Sequence, residues 1–245
     1  MKSPLRKRLP RELKSEFGKY LVVFIMMAIT IGFVSGFLVA DGSMLRAYDD
    51  SFQKYNIEDG YFQTKKKLTP AQKEDIEKSD VKVYENFYIE QKLTNGSTIR
   101  FFKNRKEVDK VCLMKGKMPK KSGEIAVDRM YADNNELKVG DTVKSRKKTF
   151  RITGLVALSD YSALFQNNND TMFDAVKFGV AIVTDKDFEA LNQVKVQYNY
   201  AWIYDKKPAT EKKEKKMAED LMEDMADVVT IESFVPQSVD PFYRG

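Results

Sequence analysis

From Tyr20 to Ala40 the chain runs YLVVFIMMAITIGFVSGFLVA, 21 residues without a charged side chain, bounded by Lys19 and Asp41. At about 1.5 Å per residue a helix of this length reaches roughly 31 Å, the thickness of a bilayer's hydrocarbon core. A secretory signal has a shorter apolar region and ends in small residues, whereas Leu38-Val39-Ala40 is a poor cleavage site. A lipoprotein would need a cysteine just after the run, and the one cysteine is Cys112. The expectation is a transmembrane helix over 20–40.

Charge orients it. Residues 1–19 carry seven Lys/Arg and two Glu, a head of +5, while the other 226 residues hold 35 basic and 34 acidic side chains. The positive-inside rule then places 1–19 in the cytoplasm and residues 41–245 outside the cell membrane. A basic pI that comes from a short head, with a near-neutral body, does not suit nucleic-acid binding. Leu5, Leu9, Leu13 and Phe17 recur every four residues among the basic ones, so 1–19 reads as an amphipathic head on membrane lipid.

Within the span, Ala28, Gly32, Gly36 and Ala40 also recur every four residues and include a Gly-x-x-x-Gly motif. Small side chains on one stripe let another helix backbone approach closely. A plain anchor would not need this, so a helix partner is expected. Beyond the span, Leu45, Tyr48, Phe52 and Tyr55 are spaced three and four apart, as if the helix continued over 41–57.

Residues 58–245 alternate strand and helix signals. Thr69-Pro70 opens a helix to about 78, and Asn95-Gly96 marks a hairpin between strands carrying Ile89 and Ile99. Short strands are expected near 58–64, 123–128, 150–156, 179–183, 196–204 and 229–234, with helices over 129–134, 185–191 and 210–227. The fold class is α+β, a mixed α/β extracytoplasmic domain with a β-rich lobe in the middle. Strand–helix–strand order in the final third suggests a ferredoxin-like, split βαβ lobe there.

Histidine is absent and there is a single cysteine, which excludes His-dependent triads, His-ligated zinc and an intramolecular disulfide. No nucleotide-cradling glycine loop is present either. Sequence-adjacent carboxylates such as Glu58 and Asp59, or Asp49 and Asp50, are expected on exposed surfaces and offer no glycosidase pair. Asn167, Asn168, Asn169 and Asp170 with Asp174 lack the spacing of a calcium loop. No catalytic, cofactor-binding or metal residues are expected. Cys112, in the run Val111–Met114, is expected to be a buried thiol. Tyr161, Leu164, Phe165, Met172 and Phe173 place large apolar groups in a loop-like stretch, which either anchors the loop or forms a partner-contact patch.

These features in this order resemble a known family. A basic head and one early span are followed by Gly116, Pro119, Gly123-Glu124-Ile125-Ala126-Val127-Asp128, Ala132, Leu137 to Val143, Phe150 and Gly154-Leu155-Val156. The series resembles the extracytoplasmic core domain of FtsX-like, MacB-like ABC transporter permeases. The stretches LPRELKSEFGKYL and ALSDYSALFQNNNDTMFDAVKFGVA are similar to the large permeases of Firmicutes. The resemblance implies a non-enzymatic permease subunit whose partner is a separate cytoplasmic ABC ATPase, with ATP bound there and not on this chain. It further implies an outer domain that engages a peptide, lipid, lipoprotein or cell-envelope partner. Family members carry more spans after this domain, so the chain is expected to be the N-terminal part of a permease or a half that assembles with another chain. The alternative is a single-pass anchored sensor or binding module.

Overall fold

The structure is a computed structural model that describes residues 14–145, 148–161, 163–167, 170, 172–191 and 195–237, less the side chains at 41, 44, 45, 47–49 and 211. Leu5, Leu9 and Leu13 of the expected head, and the side chains of Asp41, Leu45 and Tyr48, thus lie outside the described set. The chain divides into two compact units at Phe52/Gln53.

In the first unit, helix α1 (Phe17–Tyr55) is long and apolar enough to cross a membrane over Phe17–Ala40, where the mean hydropathy is 2.5 and none of the side chains is buried. Two of its hydroxyls are satisfied internally: Thr30 Oγ1 donates to the Met26 carbonyl and Ser43 Oγ to that of Val39, each at 2.8 Å. Such back-bonding removes the cost of a bare hydroxyl in an apolar surround.

The second unit has two lobes. The first is built from strands β1 (Gly60–Thr64), β2 (Val81–Glu85), β10 (Val196–Tyr204) and β11 (Ile231–Pro236) with helices α2 (Pro70–Glu77) and α5 (Glu211–Val228). The strands lie in the order β11-β1-β10-β2, all antiparallel, and α2 packs against α5. This is the ferredoxin-like order. Its second half, β10-α5-β11, lies in the final third as the sequence suggested, but its first half does not. The motif is assembled from both ends of the domain, β1-α2-β2 and β10-α5-β11, and the strand before β10 belongs to the other lobe. Sequence order alone could not show this, because residues 86–195 intervene between the halves.

Local chemistry explains the pieces. Thr69 caps α2 by accepting from Gln72 N, while the Gln72 side chain accepts from Thr69 N, and Pro70 needs no donor in the first turn. On α5 the spacing of Ala218, Leu221 and Met225 puts one buried stripe over Phe62, Val83, Tyr200 and Trp202. Lys212, Lys213, Lys215 and Lys216 are exposed in the helix's first turns.

The inserted lobe contains β3 (Tyr88–Lys92), β4 (Thr98–Lys103), β5 (Cys112–Gly116), β6 (Glu124–Asp128), β7 (Thr142–Lys144), β8 (Thr149–Ala157) and β9 (Phe178–Val183). Helices α3 (Arg129–Asn134) and α4 (Asp185–Leu191) cover it. The strand order is β3-β4-β9-β6-β8-β5, with β7 also on β8, and β10 pairs both β2 and β3, so one sheet joins the lobes. β4/β9 and β6/β8 are parallel and the rest antiparallel. Every residue of β9 is buried, which is why it reads as a continuous apolar run and not an alternating one.

Two further expectations are corrected. Cys112 is half-buried, not enclosed, because β5 is the edge of the sheet and leaves Leu113 and Met114 exposed. Glu58 and Asp59 are buried, at 2% and 7% exposure, because the turn after α1 tucks them under β10 and the segment 107–110.

Candidate partner-engaging site

Two cations hold the loop between β8 and β9: Arg105 pairs with Asp160, and Arg100 reaches further along it. Arg100 on β4 donates from Nε to Glu90 Oε2 at 2.9 Å, from Nη1 to the Tyr161 hydroxyl at 3.0 Å, and to the Gln166 carbonyl. Gln166 Nε2 in turn reaches Glu90 Oε1 at 2.9 Å. The guanidinium lies over the rings of Tyr88 and Phe178 at 4.7 and 5.0 Å. Burial works against its charge, but Tyr161, Tyr88 and Glu90 outweigh burial and raise its pKa. Burial pushes the Tyr161 phenol up to about 12, so it stays protonated.

This network divides the five loop residues singled out in the sequence. Leu164 is in the core of the inserted lobe, and Tyr161 packs on Phe102 at 5.9 Å while accepting from Arg100. Phe165 is half-buried, edge-on to Phe173 at 5.8 Å. Met172 and Phe173 face solvent at 82% and 48% exposure, and Val176, which the sequence did not single out, joins them at 50%. Asp174 holds the turn between them by accepting from Val176 N at 3.1 Å and Lys177 N at 3.0 Å. The Lys177 amide, ahead of other contacts, lowers its pKa. Asp170 does similar work on the Asn167 amide at 2.8 Å, so both carboxylates are engaged with backbone. Among the described residues no group of three acidic or thiol side chains could hold a metal ion.

A cleft of about 800 Å³ opens between the two lobes. Its wall includes Phe87, Phe188, Val196 and Tyr198, and its rim carries Lys67 and Lys103. Lys67 pairs with Glu85 at 2.8 Å and lies 5.3 Å over Phe87. Lys103 pairs with Glu189 at 3.5 Å and lies 5.4 Å over Phe188. The rim is therefore charge-balanced, with aromatic faces beneath the lysines.

On α1, the stripe Ala28, Gly32, Gly36 and Ala40 is exposed, and a Cβ added at Gly32 or Gly36 would meet nothing within 4 Å. The stripe and the loop belong to different units.

No protein-family model matches the chain, and no curated protein matches it by sequence. Among solved structures it is similar to the periplasmic region of MacB from Actinobacillus actinomycetemcomitans, at 12% identity and a TM-score of 0.38, over 71% of this chain and 87% of that one. It is also similar to the extracellular domain of the noncanonic ABC-type transporter YknZ from Gram-positive bacteria, at 11% identity and a TM-score of 0.35, over 72% and 97% of the two chains.

Proposed function

We propose that this chain is a permease subunit, or the N-terminal part of one, of an FtsX/MacB-like ABC transporter. The observation that carries the reading is the ordered series from Gly116 to Val156 behind one early apolar helix. The shape of α1 supports it: a single helix from Phe17 to Tyr55 contains the whole candidate span and ends where the outer domain begins. ATP is bound and hydrolysed by a separate cytoplasmic ATPase, and movement is passed through the span to residues 58–245. The head stays in the cytoplasm, where its +5 charge meets anionic lipid. The small-residue stripe packs on other permease helices or a second copy, with close backbone contact as the source of affinity. Outside, the Met172, Phe173 and Val176 patch and the aromatic cleft engage a peptide, lipid, lipoprotein or envelope partner.

The reading is tested by cross-linking the full chain in its native membranes and identifying what copurifies. An ABC ATPase and further permease helices are expected in the complex, and Gly32→Leu with Gly36→Leu is expected to release them. A chain recovered without an ATPase after cross-linking would overturn the permease assignment and leave the anchored binding module in its place.

A further inference from the structure

Where α1 ends, two backbone segments grip each other. Asp109 N donates to the Asn56 carbonyl at 3.0 Å and Lys110 N to that of Tyr55 at 2.8 Å. Asn56 Nδ2 returns a bond to the Glu107 carbonyl at 2.7 Å. Both central residues sit in the left-handed region, Asn56 at φ 50° and Asp109 at φ 45°, a conformation that Asn and Asp tolerate but that the surroundings must hold in place.

What surrounds them is a sealed group of charges. Glu58, Asp109, Asp160 and Arg105 are all nearly or fully buried. Arg105 is committed to Asp160, Nη1 to Oδ1 at 2.5 Å, and lies over the Phe102 ring at 4.3 Å. Asp109 Oδ1 accepts from Glu58 N at 3.0 Å and Oδ2 from Asn86 Nδ2 at 3.3 Å. Glu58 Oε2 is buried with no hydrogen-bond partner among the described residues. Three carboxyls against one guanidinium cannot all be ionised away from water without a large desolvation cost.

We propose that Glu58 and Asp109 form a proton-operated latch between the end of α1 and segment 107–110, closed when the pair holds its protons and opened by their loss. The latch goes beyond transport and belongs to the domain itself, whether or not an ATPase is bound. Closed, both carboxyls are protonated and neutral, and Asp109 accepts from the Glu58 amide and from Asn86. Opened, two like charges face each other beside Asp160, and the strained pair Asn56 and Asp109 is free to relax. Asn86, Arg105, Glu107 and Val108 also line the cleft between the lobes. Releasing 107–110 therefore changes the cleft wall as it frees the helix end. By linkage, a partner that reshapes that wall alters the proton affinity of the pair.

The direction follows from the neighbours. Burial, then the charges of Asp109 and Asp160, raise the Glu58 pKa well above the ordinary carboxylate range. Burial and Asp160 push Asp109 up to about 7, with Arg105 pulling the other way. Tyr161 stands beyond Arg105, while Asp59 next door is occupied by Lys207 at 3.1 Å and the Tyr204 amide at 2.9 Å. A carboxyl whose pKa is raised on folding stabilises the closed form at low pH and loses that contribution as pH rises through its folded value. The latch should hold in mild acid and loosen through neutrality.

The test is hydrogen exchange on the full chain in detergent, with each amide's protection corrected for its intrinsic rate at every pH. Protection of the Glu58, Asp109 and Lys110 amides is expected to fall about tenfold or more between about pH 6 and about pH 8, while β9 amides stay unchanged. Glu58→Gln and Asp109→Asn, each keeping a polar group of the same shape, should flatten that profile. Should Asp109→Asn fail to fold, Glu58→Gln decides alone. Equal wild-type protection at the two pH values, an unaltered profile in Glu58→Gln, or parallel loss in β9 would each overturn the latch. None of these outcomes depends on whether an ATPase copurifies.

Discussion

Arg100 Nη1 on β4 donates to the Tyr161 hydroxyl at 3.0 Å, across 61 residues of chain. The same guanidinium reaches Glu90 and the Gln166 carbonyl, so one side chain ties the β8–β9 loop down at two points. Arg100→Met keeps much of the packing but strips these partners and leaves Glu90 without its cation. It should cost about 3 kcal/mol, whereas Tyr161→Phe, which removes one bond, should cost about 1 kcal/mol. Urea unfolding measures both. Limited proteolysis should show new cuts between 158 and 177 in the arginine variant first, since the loop loses its ties at Tyr161 and Gln166 while that of Asp160 to Arg105 remains.

Asp187 is fully buried near the start of α4 and gathers donors from three parts of the chain. It accepts from Ser122 Oγ at 2.6 Å, Gly123 N at 2.8 Å and Thr184 Oγ1 at 2.9 Å, and pairs with Lys148. Burial raises its pKa, but Lys148, Ser122, Gly123 and Thr184 together more than offset that and leave it lowered. A carboxylate with a lowered folded pKa adds stability above its unfolded value, about 3.9, and loses it as pH falls through the folded value. Asp187→Asn should therefore destabilise by about 3 kcal/mol near neutrality. The gap to the wild type should close in strong acid. Thermal melts from neutrality down into acid check both the size and the sign, which is opposite to that of the Glu58 and Asp109 pair.

Gly60 opens β1 where the chain passes directly against Trp202. A Cβ there would fall on the Trp202 ring and 2.7 Å from the Val235 carbonyl, both fixed by the sheet. Trp202 is fully buried and stacks on Phe234 at 4.6 Å, so it has no room to retreat. Gly60→Ala should destabilise the first lobe by about 3 kcal/mol. Because the chain has one tryptophan, its fluorescence reports that lobe directly, and an unshifted unfolding midpoint would show the contact to be soft.

The sequence made the elements visible more readily than their assembly. The Thr69 cap, the Asn95-Gly96 hairpin and the helix over 210–227 are local patterns, and each appears within a few residues of its expected place. β2 went unnoticed because Val81 and Val83 alternate with charge over only five residues. Only the second half of the ferredoxin-like lobe is legible, because the first half, β1-α2-β2, joins it through long-range strand pairing. Apolar content misled at Cys112, where the strand turned out to be an edge. Adjacent charge misled at Glu58, whose burial depends on segment 107–110 folding over it. In the loop, apolar residues adjacent in sequence part ways: Leu164 packs into the core and Tyr161 against Phe102, while Met172 and Phe173 face solvent, a split that depends on long-range contacts.

Met172, Phe173 and Val176 remain on the outside of that tethered loop. Apolar groups carried on a loop already tied to the domain lose less freedom when they bind. Met172→Ser removes no contact on which the fold depends and should change stability by less than about 0.5 kcal/mol. Phe173→Ser also loses its edge contact to Phe165 and should cost about 1 kcal/mol. A photoreactive phenylalanine analogue at 172 should then form an adduct with an envelope partner in native membranes, while the same group at exposed Lys138 should not. Adducts at neither position, or equally at both, would remove this loop from the partner surface. If Arg100→Met also abolishes the adduct at 172 while the domain stays folded, presentation by the arginine tether, and not apolar character alone, is what the partner reads.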